Sequence, residues 1–247
     1  MSRFILHMIF ITPVKILAQE YVMITDRPDI TESALIVPSG ILQAEHGFQY
    51  NSLGNMDGIV SIPTLLRFGV GGNTEFRATF QPIISPTEGE HQDGLLPVTV
   101  GLKVGLADED RFLPQMALLA QIELATFSSP GLRDSYTGLS VIWLGSYDIP
   151  GALAFGYNLG IQYDGTNEQP VYPYSLSVGI SLADKLAFFA EHYATVTKNE
   201  FHKNADAGFT WLLRPHMQID CSAGYSWETN NYFAGLGYSW FISTGNK

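Results

Sequence analysis

The sequence predicts an all-β fold, a transmembrane antiparallel up-and-down β-barrel of about twelve strands. Three observations support this: apolar and polar residues alternate, short and long connections alternate, and the charges within strands share one face. From Leu153 to Tyr163 every odd position is large and apolar, whereas the even positions are small or polar. A period of two indicates β-strand, and strands this long predict one face toward lipid and one toward water.

Composition and charge narrow the possible function classes. Charged residues make up 15% of the 247 residues and aromatic residues 13%, whereas an average soluble protein has about 25% charged residues. A net charge of −11 argues against a nucleic-acid partner, which needs a basic surface. The single cysteine, Cys221, forbids an internal disulfide and a cysteine-based zinc cluster. We expect no metal and no cofactor.

Two segments precede the predicted barrel. Residues 1–18 contain Arg3 and an apolar run that ends at Ala18, and they predict a secretory signal peptide cut after Ala18. Residues 19–39 are polar and turn-prone, so we expect an N-terminal segment that is either periplasmic or luminal. Residues 40–247 are the predicted barrel, and its location is the outer membrane of a bacterial cell.

The barrel region contains about twelve segments with strand periodicity. They cover residues 40–51, 59–69, 74–82, 96–106, 114–126, 136–148, 151–163, 171–182, 185–196, 205–213, 215–226 and 231–242. The connections after the second, sixth, eighth and tenth segments are tight, and those at 84–94, 127–135 and 197–204 are long and polar. This alternation predicts short periplasmic turns and longer outer loops, with both termini on the periplasmic side.

Charged residues within the segments fall on the parity opposite to the apolar residues. Because Arg or Lys facing lipid at mid-bilayer costs about 2–4 kcal/mol, these side chains are expected to point into the lumen. The predicted lumen-lining residues are Glu45, Arg67, Glu75, Arg77, Lys103, Glu123, Glu191 and Asp220. Their signs are mixed, so they form either a selectivity constriction or a structural network that fills the barrel.

Arg27 is the candidate gating residue ahead of the first strand. In one interpretation the segment Asp26-Arg27-Pro28 folds into the lumen, where Arg27 pairs with Glu45, Glu191 or Asp220. In the other, the segment is a solvated periplasmic turn or a docked latch.

Catalysis is not predicted. His46 and His192 lie on the lipid parity, and each is next to a Glu that faces the opposite way. No triad follows from this arrangement, and we expect a protein that is not an enzyme. A soluble β-sandwich binding module is the alternative from another class, and it predicts no detergent requirement.

Several short motifs give the chain a family resemblance. They are Thr25-Asp26-Arg27-Pro28, Gln43-Ala44-Glu45-His46-Gly47, Leu65-Leu66-Arg67-Phe68-Gly69, Glu75-Phe76-Arg77, Gly101-Leu102-Lys103, Tyr157-Asn158-Leu159-Gly160 and Gln218-Ile219-Asp220. With them the chain resembles, over about residues 24–242, the outer-membrane transporter family named for a phenol meta-pathway degradation protein. The resemblance implies an outer-membrane barrel with a transport role, in some members linked to aromatic catabolism.

The sequence therefore predicts a porin-like channel or transporter for passive uptake or efflux of small molecules, with aromatic or hydrophobic compounds as candidate solutes. A non-conducting structural or adhesive barrel is the first alternative, followed by an outer-membrane hydrolase or a soluble β binding protein. Residues 232–241 resemble the C-terminal assembly signal of bacterial outer-membrane proteins. The expected partners are thus outer-membrane lipid, small-molecule solutes and the barrel assembly machinery; the oligomeric state is open.

Overall fold

In the computed structural model, residues 21–53, 58–85, 93–133, 135–149, 153–163, 169–198 and 200–244 are described. Within them, twelve antiparallel strands form a closed barrel. These strands are β1 (Ile41–Ser52), β3 (Thr64–Gly71), β4 (Thr74–Phe80), β7 (Val98–Ala107), β8 (Gln115–Leu124), β9 (Gly138–Ile149), β10 (Leu153–Tyr163), β11 (Tyr172–Ala183), β12 (Leu186–Val196), β13 (Phe201–Arg214), β14 (Met217–Ser226) and β15 (Asn231–Ser243). Each pairs with its neighbour in this order, and β15 pairs with β1 from Ile41–Ser243 to Asn51–Phe233. The predicted fold class is confirmed.

Three short strands extend the sheet at the end opposite the tight turns. They are β2 (Gly58–Ser61), β5 (Pro82–Ile84) and β6 (Gly94–Leu95), and they pair in the order β1, β2, β5, β6. The predicted signal peptide, residues 1–18, lies outside the described residues.

Two of the predicted strand boundaries were wrong. Residues 59–69 were expected to form one strand, but Ile62 and Pro63 separate β2 from β3. A proline has no N–H to donate to a ladder, which explains the break. Residues 197–204 were expected to be a long loop, yet β13 already begins at Phe201. Thr197 and Glu200 close that connection as a tight turn, with N–H donating to C=O at 2.9 Å.

The outer surface of the barrel is apolar and its inner surface is polar. Leu159 and Leu176 are each 56% exposed, whereas their chain neighbours Asn158 and Ser175 are 6% and 3% exposed. A protein dissolved in water has the opposite arrangement, because it buries its large apolar side chains. Exposed apolar side chains around a closed sheet with a polar interior are expected when lipid is the surrounding solvent.

The β3–β4, β11–β12 and β13–β14 turns lie at one end of the barrel, which is called the turn end below. Between β3 and β4, Gly71, Gly72 and Asn73 all have positive φ, at 98°, 59° and 57°, which glycine and asparagine adopt most readily. Residues ahead of β1 lie at the same end, because the Met23 N–H donates to the Pro215 carbonyl in the β13–β14 turn at 3.0 Å. No helix in the described part of the chain is long and apolar enough to cross a membrane.

Candidate functional site

Residues 21–39, here called the luminal segment, lie inside the barrel and contact strands on several sides. From the turn end the segment reaches Glu191 on β12, Asn158 on β10 and Glu75 on β4. It has no alternating pattern and forms no extended strand. Its backbone N–H groups therefore need partners other than a sheet ladder, and side chains of the wall accept hydrogen bonds from them.

One wall of the lumen holds a buried ionic cluster. Its members come from β1, β3, β4, β7 and the luminal segment: Asp26, Glu32, Glu45, Arg67, Glu75, Arg77 and Lys103. Glu45, Glu75 and Lys103 have no exposed surface, and Arg67 and Arg77 are 1% and 2% exposed. Ion pairs removed from water in this way are tightly coupled, so the loss of one member leaves its partners as buried uncompensated charges.

Asp26 is the carboxylate at the centre of the ionic cluster. Its Oδ2 lies 2.7 Å from Arg77 Nη1, 3.2 Å from Arg67 Nη1 and 3.2 Å from Lys103 Nζ. Its Oδ1 accepts a hydrogen bond from the Ser33 N–H at 3.0 Å. Asp26 thus joins three basic side chains of the wall and also links two points of the luminal segment.

Arg67 contacts both carboxylates of the wall and two backbone carbonyls of the luminal segment. Its Nε and Nη2 donate to the two Glu75 carboxylate oxygens at 2.7 and 2.9 Å, and its Nη1 donates to Glu45 at 3.1 Å. The same guanidinium donates to the carbonyls of Ile24 and Leu35 at 3.3 and 3.2 Å. The planar fork of Arg67 therefore binds the wall and both halves of the luminal segment at once.

The strand register explains why the wall needs a carboxylate from the luminal segment. Arg67 on β3 lies directly opposite Arg77 on β4, and Lys103 on β7 lies opposite Glu75. Like charges directly opposite each other destabilise a sheet. Asp26 is within 3.2 Å of both guanidinium groups, so it offsets their repulsion.

The predicted residues Glu191 and Asp220 lie on β12 and β14, outside the strands that form the ionic cluster. Glu191 accepts hydrogen bonds from the N–H groups of Ile30 and Thr31 at 2.6 and 2.9 Å, and from the Thr31 hydroxyl at 2.6 Å. Asp220 lies 3.3 Å from Arg27 Nη2. The Arg27 N–H also donates to Glu45 at 3.0 Å, so Arg27 links β1 to β14, two strands that are separated only by β15.

Of the nine predicted site residues, Arg27 belongs to the luminal segment and seven others contact it. The ninth, Glu123, lies away from it and lines a cavity of about 240 Å³ near the loop end, with Thr79, Gln121 and Gln162. A larger cavity of about 480 Å³ lies at the turn end, where Asp29, Leu35, Asp148 and Phe189 are among its lining residues.

Sequence reasoning missed Asp26, Glu32 and Asn158 as site residues. Glu32 lies 2.8 Å from Arg77 Nη1, and the Asn158 amide exchanges two hydrogen bonds with the backbone of Glu32. The sequence does contain one indication that a carboxylate is missing from this set. Three basic residues on adjacent strands, Arg67, Arg77 and Lys103, face only two acidic residues, Glu45 and Glu75. A third carboxylate was therefore needed from elsewhere in the chain.

The Arg27 guanidinium lies directly over Gly47 of β1. A Cβ added at Gly47 would overlap three guanidinium atoms of Arg27, so Gly47→Ala is expected to push Arg27 away from Asp220. We expect Gly47→Ala and Arg27→Ala to change the single-channel conductance in the same direction, and their combination to add little. A Gly235→Ala variant on β15, whose Cβ would have no neighbour closer than 3.5 Å, is the control for a methyl group on a strand. Additive effects of Gly47→Ala and Arg27→Ala would contradict this coupling.

Among the described residues, no group of His, Cys, Asp and Glu side chains is placed to hold a metal ion. The site is thus built from ion pairs and from hydrogen bonds between side chains and backbone.

A family model described as "Putative MetA-pathway of phenol degradation" matches residues 25–242. The chain belongs to this family. The match covers the luminal segment and the twelve barrel strands together, and it confirms the resemblance carried by the Asp26-Arg27-Pro28 motif and the charged strand motifs. No curated protein matches the chain at a significant level.

Solved structures share the fold of this family member. The COG4313 outer-membrane channel from Pseudomonas putida F1 has a TM-score of 0.61 and 11% identity, covering 85% of this chain and 98% of that one. The NanC porin has a TM-score of 0.59 and 13% identity, covering 80% and 98%. The KdgM porin with disordered oligogalacturonate has a TM-score of 0.56 and 8% identity, covering 81% and 98%. All three are described as channels or porins, and the likeness to them confirms the barrel fold.

Proposed function

We propose that this protein is a passive channel for small molecules, in which the luminal segment is a plug that moves to widen the path. The proposal rests on how the luminal segment is attached to the barrel wall. Hydrogen bonds from its backbone end on Glu45, Glu75, Asn158 and Glu191, which belong to strands around the lumen. A segment attached on several sides restricts the path for solutes while it is seated.

The contacts of the luminal segment suit a plug that can leave its seat. The apolar contacts of its described residues include Ala34 and Ile36 against Leu119, Leu144 and their neighbours, and the Tyr21 ring against Phe241, and Met23 and Val37 are also buried. The other contacts are polar, and water replaces hydrogen bonds at a net cost of about 0.5–1.5 kcal/mol each. The ionic cluster is the exception, because its partners are buried, and it supports an anchoring role for Asp26.

Small amphipathic molecules, including phenols, are the proposed solutes. The turn-end cavity of about 480 Å³ has Phe189, Leu35 and Ile24 beside Thr25 and Ser177 in its lining. A mainly apolar lining with a few polar groups suits a ligand that has an aromatic body and a hydroxyl group. The family's link to phenol degradation supports the same class.

A disulfide that locks the plug tests the proposal. Thr31 Cγ2 lies 2.9 Å from the position of a Cβ on Gly156 of β10, so Thr31→Cys with Gly156→Cys places two thiols within bridging range. The background carries Cys221→Ala, so that no third thiol is present. We expect a low, uniform conductance in planar bilayers under oxidising conditions and larger openings after reduction. Each single cysteine variant is the control, and equal conductance in both redox states would contradict a moving plug.

A non-conducting structural barrel is the second candidate, and the buried ionic cluster favours it because it fills part of the lumen. Swelling of proteoliposomes in phenol, sugars and amino acids separates the two functions. The channel proposal expects swelling above that of empty liposomes, and a structural barrel gives none.

The proposed role includes no catalytic step. The proposed partners are the solutes, outer-membrane lipid and the barrel assembly machinery, which would recognise the final strand.

A further inference from the structure

Each basic side chain described inside the barrel is paired with a carboxylate. Within the described chain they are Arg27, Arg67, Arg77 and Lys103, and each lies within 3.3 Å of a carboxylate. The other described Lys and Arg side chains lie at exposed positions. In this part of the protein, therefore, no luminal basic group is left to attract an anionic solute.

Two carboxylates on the other wall are not paired with a basic side chain of the described residues. Glu191 on β12 and Asp206 on β13 are direct cross-strand partners, and they are 5% and 6% exposed. Glu191 is bound by Ile30 and Thr31, but among the described residues no N–H or hydroxyl group donates to either carboxylate oxygen of Asp206, whose neighbour is the Glu191 carboxyl group. A buried carboxylate without a partner is costly, and a second carboxylate next to it adds to that cost. A cation between them would relieve both.

The turn-end and loop-end cavities have the same sign of charge, whereas a third cavity of about 250 Å³ is lined by both Arg27, which is paired with Asp220, and Asp29. Asp29, Glu32, Glu109 and Asp148 line the turn-end cavity, and Glu123 lines the loop-end cavity. No basic side chain is among the described residues that line either one. A path lined by one sign of charge with low-dielectric walls concentrates ions of the opposite sign.

We propose that the lumen selects for cations, and that Asp206 with Glu191 binds the positively charged group of a passing solute. This inference rests on the proposed channel function and narrows its solute class. Rings of Asp and Glu give cation selectivity in other pores. Aromatic amines and neutral phenols pass under this proposal, and carboxylated aromatic compounds such as benzoate are repelled.

Reversal potentials across planar bilayers test the proposal on the full mature chain. In a KCl gradient we expect K⁺ to be about tenfold more permeant than Cl⁻. Asp206→Asn removes the charge at constant shape, and we expect it to lower that ratio by about twofold or more. Glu200→Gln removes the same charge from an exposed side chain and is expected to leave the ratio unchanged. Glu123→Gln is a second luminal variant, and heat-modifiable gel migration verifies that each barrel is folded.

The possible outcomes separate this inference from the proposed function. A native channel that conducts without cation preference overturns the inference and leaves the channel function in place. An unchanged ratio in Asp206→Asn overturns the Asp206 site, as expected if Asp206 and Glu191 share a proton. Absence of conductance in all conditions overturns the channel function itself. Benzylammonium chloride compared with potassium benzoate extends the test to aromatic ions, and greater permeation by benzoate overturns the proposed solute class.

Discussion

Replacing Asp26 with alanine is expected to reduce the free energy of unfolding of the barrel by about 3–5 kcal/mol, because removal of one partner leaves the others as buried unpaired charges. Asp26 lies within 3.2 Å of Arg67, Arg77 and Lys103, and no other carboxylate of the luminal segment approaches all three among the described residues. Equilibrium unfolding in urea from lipid vesicles measures the change.

The Asp26→Ala variant is also expected to open the channel, since the luminal segment loses its anchor on β3, β4 and β7. Conductance in planar bilayers should show more frequent and larger openings than in the native protein. Asp184→Ala removes a carboxylate from an exposed turn and controls for the loss of charge. Native stability together with native conductance in Asp26→Ala would refute the anchoring role.

The second large effect is expected at Arg67. Arg67→Met keeps the length of the side chain but removes its hydrogen bonds to Glu45, Glu75 and the carbonyls of the luminal segment. We expect a loss of about 3–5 kcal/mol in the free energy of unfolding, because Glu45 and Glu75 then lack their main counter-charge. Urea unfolding measures this loss, and Arg214→Met at the exposed end of β13 is the control.

The variant Arg67→Lys tests whether the positive charge of this side chain or its hydrogen-bond geometry stabilises the barrel. Lysine keeps the positive charge but cannot bind Glu75 with two parallel hydrogen bonds while also reaching Glu45. We expect Arg67→Lys to recover less than half of the stability lost in Arg67→Met. Full recovery would show that charge alone matters at this position. In the double variant Asp26→Ala with Arg67→Met, the loss should be smaller than the sum of the single losses, because the two groups interact directly.

Strand periodicity determined most of the fold. Apolar residues at alternate positions need lipid or a core on one face, and the mixed charges on the other parity need a wet or compensated interior. Those two requirements predicted the twelve-strand barrel and the inward direction of Glu45, Arg67 and Glu191. The errors came where proline or a tight turn interrupts the pattern, as at Pro63 and at the start of β13, since period alone does not reveal hydrogen-bonding gaps.

The sequence by itself determined which face of each strand meets lipid and which charges point inward, because both depend on parity within a single strand. Only the tertiary structure decided the partners of those charges. Closure of β15 on β1 and the path of residues 21–39 bring Asp26 between Arg67 and Arg77, leave Asp206 beside Glu191, and extend Arg27 to Asp220. These pairs are separated by up to 193 positions along the chain, and the period of a strand carries no information about contacts between different strands or with the luminal segment.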